Sequence, residues 1–144
     1  MERLYLIVGI AGQRVALSTH FVESVVEIDV VTPVPLVAPH IAGLAALRSR
    51  VLTIVDTLAA LDLGRMEQAD VMEAVIVTID GHLYGLLVED VEDVVELNSG
   101  PTPVCAVLDA GWSRVTSGMV EIDGDALLLI DPAALVLGPS ALAA

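Results

Sequence analysis

The sequence predicts a mainly β protein organised as two small barrels, and three observations carry that prediction. Hydrophobic residues make up 56% of the chain but aromatics only 3%. The core is therefore assembled from Val, Leu, Ile and Ala, and β-branched side chains pack best on a pleated surface. Short apolar runs are punctuated by turn residues at roughly 8–12-residue spacing, with little helical pattern between them. The chain also repeats itself. Aligning Gly12 with Gly81 (81 − 12 = 69) brings Leu17 over Leu86, Val22-Glu23 over Val91-Glu92, and Val25-Val26-Glu27 over Val94-Val95-Glu96. A solenoid would need three or more shorter units, so the repeat is a duplicated half-domain, about 1–70 and 71–144 within one domain spanning 1–144. Closing each sheet removes the exposed edges that so apolar a chain could ill tolerate.

In chain order, Leu4–Ile10 is an apolar run closed by Ala11-Gly12-Gln13, and Arg14–Leu17 resumes it, which reads as a hairpin. His20–Ile28 reads as one helical turn leading into a strand. Residues 30–39, VVTPVPLVAP, form an extended, proline-punctuated connection. Val30–Leu47 has no formal charge, but Pro33, Pro35 and Pro39 exclude a membrane-spanning helix there. Ile41–Asp56, IAGLAALRSRVLTIVD, runs from small residues through Arg48 and Arg50 into a strand. Val51–Gly64 resembles Leu127–Gly138, each an apolar strand ending in an acid before a helical segment. Asp56 and Asp131 are accordingly expected to cap helices. The second half has its own Pro-x-Pro connection at Pro101–Pro103. Glu89, Asp90, Glu92, Asp93 and Glu96 alternate with valines as the solvated face of an amphipathic stretch. Trp112 is expected in a loop covering the end of a barrel.

The charge balance excludes several partners. Twenty acids against six Lys and Arg give a net charge of −14. No basic stripe can form to neutralise nucleic-acid phosphates or an anionic bilayer. The single cysteine, Cys105, cannot form an intramolecular disulfide and fits a reducing compartment, where it serves as a small buried hydrophobe. The N-terminal run is too short for a secretory signal and flows into a strand pattern, so a soluble, cytoplasmic protein is expected. His20, His40 and His82 lack the spacing of a helical metal pair, and no nucleophile elbow or phosphate loop occurs. The acids at 89–96 lack the glycine-punctuated ligand loop of a calcium site. No catalytic residue, cofactor or metal site is predicted.

An ordered set of motifs carries a family resemblance. They are Gly12-Gln13-Arg14-Val15-Ala16-Leu17, Val25-Val26-Glu27-Ile28, Val31-Thr32-Pro33-Val34-Pro35, Ile41-Ala42-Gly43-Leu44, Leu47-Arg48 and Ile54-Val55-Asp56. The second half adds Tyr84-Gly85-Leu86-Leu87-Val88, Val91-Glu92-Asp93-Val94 and Leu129-Ile130-Asp131. On these the chain resembles the CheW family, the adaptor domain of bacterial chemosensory arrays. The resemblance implies two pseudo-symmetric five-stranded SH3-like β-barrels with a few short helices and no enzymatic activity. It implies coupling of chemoreceptor (methyl-accepting protein) tips to the regulatory domain of a histidine kinase, at receptor arrays beside the inner membrane. Other CheW-like domains, gathered in rings, are further partners.

By position, Val25, Glu27, Ile28, Arg48, Ser49, Arg50, Val51 and Val88 match the partner-facing parts of the family. An arginine at the rim of an apolar groove can make bidentate bonds to a carboxylate. Two departures stand out: Ser49 follows Arg48 where the family prefers Gly, and Thr53 stands where Pro is common. Leu47-Arg48-Ser49-Arg50 is read as having no counterpart, the second half carrying Glu121-Ile122-Asp123-Gly124-Asp125 instead. Function is therefore placed where the halves differ most. Two rivals stand beside this reading: a small-molecule carrier or enzyme using the groove between the barrels, and the same adaptor fold in pilus motility or another two-component pathway.

Overall fold

The computed structural model describes residues 3–47, 49–67, 71–97, 100–104 and 107–138. Cys105 lies outside them. The strands of the first half are β1 (Arg3–Ile10), β2 (Gln13–Ser18), β3 (Val22–Ile28), β4 (Ile41–Leu47) and β5 (Arg50–Asp56), followed by helix α1 (Thr57–Ala60). The second half contributes β6 (Met72–Ile79), β7 (His82–Val88), β8 (Asp90–Leu97), α2 (Ala110–Val115), β9 (Thr116–Ile122), β10 (Asp125–Ile130) and α3 (Pro132–Leu137). The helical turn expected at His20 is instead a tight turn into β3, with Phe21 and Val22 amides bonded to the carbonyls of Ser18 and Thr19.

Local chemistry sets the hairpins. Ala11-Gly12, Asp80-Gly81 and Asp123-Gly124 all place both residues at positive φ (52° and 77°, 52° and 79°, 52° and 85°). That is the two-residue turn whose twist matches antiparallel strands, and a glycine at its second position carries no Cβ penalty. The acids before α1 and α3 cap as expected. Asp56 accepts from the Ala59 amide at 3.1 Å and Asp131 from the Ala133 amide at 3.0 Å.

The strands assemble into two five-stranded sheets, β8-β1-β2-β10-β9 and β3-β6-β7-β5-β4. Strand n of the first half occupies the place of strand n + 5 of the second, and the two sheet orders correspond throughout. The halves interlock: β3 leaves the β1–β2 hairpin to pair with β6, while β8 leaves the β6–β7 hairpin to pair with β1. Up to β8 the offset is 69 (97 − 28), and from β9 it is 75 (116 − 41). The difference is six residues, the length of α2. The second connection is thus longer by one short helix.

Among the described residues the hydrogen-bonded ladders do not close into barrels. Each sheet is tied across its open side by one bridge, Thr32 to Leu44 in one and Thr102 to Met119 in the other. Both bridges sit beside a bulge marked by a glycine. A Cβ on Gly43, whose φ is +149°, would lie 2.2 Å from the Thr32 carbonyl oxygen, and one on Gly118 3.0 Å from that of Thr102.

Three apolar clusters follow from strand alternation. One fills the first sheet (Tyr5, Ile7, Ala16, Ile122) and one the second (Ile28, Leu52, Ile54, Ile76). The largest lies between the sheets, joining Leu6, Val8 and Leu17 to Val75, Leu86 and Val88. Trp112 sits on α2 and not in the loop expected for it, and it belongs to that central cluster. Arg114, also on α2, reaches the carbonyl of Ala60 at the end of α1 and that of Ala134 within α3. Three short helices are thereby clamped by one guanidinium. His40 is buried and bonds the Val136 carbonyl through Nε2 at 2.6 Å. Its own carbonyl accepts from the Asp56 amide, as that of Val115 does from Asp131. His40 and Val115 therefore occupy equivalent places in the two halves.

Candidate functional site

The residues proposed from sequence fall on the second sheet but do not share one surface. Lateral register puts Glu27 beside Glu73 beside Val88, and Val25 beside Val75 beside Leu86. Val75, Leu86 and Val88 belong to the central cluster. Val25, Glu27 and Val88 therefore lie on the sheet face turned toward the other sheet. Val51 joins them, because alternation along β5 places it with Val55 of that cluster. Val25 and Val51 are 38% and 62% exposed, and Glu27 is exposed.

Two of the eight occupy the interior. Val88 is 3% exposed, covered by the opposite sheet, and Ile28 is 4% exposed on the other face, inside the second sheet's own cluster. Neither side chain offers surface in the isolated chain. Period-two alternation already separates Ile28 from Val25 and Glu27, a signal present in the sequence. The burial of Val88 was not, because it needs the first sheet packed over it. Arg48 lies outside the described residues.

Ser49 and Arg50 are exposed at the β4–β5 turn. This turn has a counterpart after all. Leu47 pairs with Arg50 as Ile122 pairs with Asp125, so the two turns are equivalent at an offset of 75 (125 − 50). The expectation of an unmatched segment arose because the offset changes from 69 to 75 across the longer connection. What differs is charge: Arg48-Ser49-Arg50 stands where the other half has Asp123-Gly124-Asp125.

Arg50 bonds Glu23 at 2.7 Å. Its strand and that of Glu23 are separated in the ladder by β6 and β7, so the pair draws the curled sheet together at one end. Thr78 donates to the same carboxylate at 3.4 Å. Beside the pair lies an open hollow of about 440 Å³ lined by Ser24, Val26, Leu47, Ser49 and Arg50. At the matching end of the other sheet, Arg14 bonds Glu92 at 2.8 Å and lies 3.9 Å from Asp125. The hydrogen bond to Glu92 raises the Arg14 pKa. Among the described residues no three His, Cys, Asp or Glu side chains converge as metal ligands, and no helix is long and apolar enough to cross a membrane. Exposed valines on β3 and β5 together with a basic turn offer features that can bind a protein surface.

Comparison with known proteins gives a family and a fold. The family model described as the CheW-like domain matches residues 4–138. Among solved structures, the chain is similar to the scaffolding protein TtCheW from Thermoanaerobacter tengcongensis. The TM-score is 0.77 at 22% identity, covering 91% of this chain and 90% of that one. No curated protein matches by sequence.

Proposed function

The chain belongs to the CheW-like domain family, and from that premise we propose that it is a non-enzymatic adaptor coupling chemoreceptor tips to a histidine kinase. The observation that carries this reading is the family match, which takes in all ten strands apart from the first residue of β1. In this proposal each sheet, with its single bridge, serves as an SH3-like barrel. Val25 and Glu27, exposed on β3, receive an apolar helix face from a receptor, and the Arg48–Arg50 turn, with Val51 beside it, meets carboxylates on the kinase regulatory domain or on another CheW-like domain. Ile28, on the opposite face of β3, supports Val25 and Glu27 from beneath, and Val88 lies on their own face, covered by the other sheet. The protein acts in the cytoplasm, recruited to receptor arrays.

The test is co-sedimentation with receptor-bearing membranes and kinase. R48E and R50E, checked for folding by circular dichroism, are expected to lose at least one partner. Normal binding by both variants overturns the site assignment. Affinity capture from native cells that returns neither a histidine kinase nor a methyl-accepting receptor overturns the function itself.

A further inference from the structure

At the end of the second sheet away from the Arg50–Glu23 pair lies a second hollow, of about 420 Å³. Its walls are Val31, Pro33 and Val37 of the β3–β4 connection, and Met66, Met72 and Leu87 across from them. A space of this size takes a few side chains.

Buried polar groups build the far wall. The Asp56 carboxylate caps α1 through one oxygen and holds the Met66 amide at 3.0 Å through the other. Buried Thr57 donates to the Leu87 carbonyl at 2.6 Å, and its hydroxyl lies 3.7 Å from the Met66 sulfur. The segment carrying Arg65 and Met66 is therefore fixed against the sheet. In the other half Thr57 is replaced by Pro132, which has no hydroxyl to offer.

Two further features point outward. Leu36, in the connection that forms the near wall, is fully exposed and held at φ +63°, a strained conformation for a leucine. Arg65 lines the hollow and has no partner among the described residues. By contrast, Arg14, Arg50 and Arg114 are each engaged by carboxylates or carbonyls. In a chain of net charge −14, an unengaged guanidinium beside a hollow lined by valines, prolines and methionines is a local exception to a field that repels acids.

We propose that this hollow docks a short apolar segment of a partner protein that carries one carboxylate, with Arg65 as the ion partner and Met66, Met72 and Leu36 as the apolar contacts. The surface is separate from the partner-facing residues assigned above and does not depend on them. Methionine suits such a site, because its flexible thioether adapts to different apolar side chains. The carboxylate supplies selectivity: Arg65 favours an acid here, while the surrounding negative charge disfavours acids elsewhere.

The probe is a fluorescein-labelled, amidated peptide, Ala-Leu-Leu-Glu-Leu-Ala, with versions carrying Gln or Lys in place of Glu. Binding is read by anisotropy and by the methyl signals of Met66 and Met72. The Glu peptide is expected to bind about tenfold more tightly than the Gln peptide and to move both methyl signals. Arg65→Glu is expected to shift preference to the Lys peptide, with Arg65→Gln abolishing the preference if the reversal perturbs folding. Equal binding of the Glu and Gln peptides, unmoved methyl signals, or an unchanged preference in both variants overturns the proposal. So does concentration-dependent self-association lost in Arg65→Gln, which would make a second copy the occupant.

Discussion

Arg50 and Glu23 close one end of the second sheet with a 2.7 Å ion pair, and at the equivalent points of the first sheet both residues are acids, Asp125 and Glu92. The missing cation is supplied from elsewhere: Arg14, on β2, bonds Glu92 and approaches Asp125. The residue equivalent to Arg14 in the other half is Leu83 (14 + 69), half-buried against the second sheet's cluster. Among the described residues each sheet thus has one arginine tying this end, placed on a different strand. The duplicated halves have kept the tie and exchanged its donor, which leaves the turn of one sheet basic and that of the other acidic.

Replacing Arg14 with leucine leaves Glu92 and Asp125 facing each other without a cation. The expected effect is a small fall in Tm at low salt that shrinks as salt screens the two acids. Because the Glu92 hydrogen bond raises the pKa of a guanidinium that is already strongly basic, Arg14 stays charged at neutral pH. Its contribution is complete below the unfolded-state pKa and is lost only as pH rises through the raised folded value. Thermal melts at two salt concentrations and between pH 6 and about 9 check both statements.

Gly43→Ala is expected to cost more than about 2 kcal/mol, since its Cβ would meet the Thr32 carbonyl and its φ suits only glycine. Gly118→Ala, with a longer approach of 3.0 Å and no positive φ, is expected to cost less. Urea unfolding of the two variants measures the difference. Equal costs would mean that the two bridges matter alike despite their geometry.

The two capping acids are not equivalent either. Asp131→Ala removes one capping bond and is expected to cost about 1 kcal/mol. Asp56→Ala also frees the Met66 amide, in a more buried setting, and is expected to cost about 2–3 kcal/mol. Chemical denaturation provides the comparison, and methionine methyl signals report whether the Met66 segment has detached.

Arg114→Ala removes the shared partner of the Ala60 carbonyl, at the end of α1, and the Ala134 carbonyl, within α3. A loss of about 1–3 kcal/mol is expected, with a shift in the emission of nearby Trp112, the only tryptophan. Arg114→Lys, with one point charge for a planar fork, should recover only part of it.

Much of the architecture was legible before folding because it depends on neighbours in sequence. The Gly12 and Gly81 turns, the Asp56 and Asp131 caps and the strand content each rest on a few adjacent residues. The repeat was legible too, but its second part was misaligned because α2 changes the offset from 69 to 75, and this hid the equivalence of the Arg48–Arg50 and Asp123–Asp125 turns. The candidate site was half legible. Val25, Glu27, Ser49, Arg50 and Val51 are exposed, whereas Ile28 faces inward by simple alternation and Val88 is covered by the other sheet.

The sequence alone determined a β-rich duplicated chain, its turns and caps, and membership of the CheW-like family, because these are set by side-chain type and local spacing. Tertiary structure alone decided that the halves exchange strands, that Trp112 lies between the sheets, and that Arg14 replaces the missing partner of Glu92. Those outcomes depend on contacts between residues far apart in the chain, and only the packed sheets bring them within bonding distance.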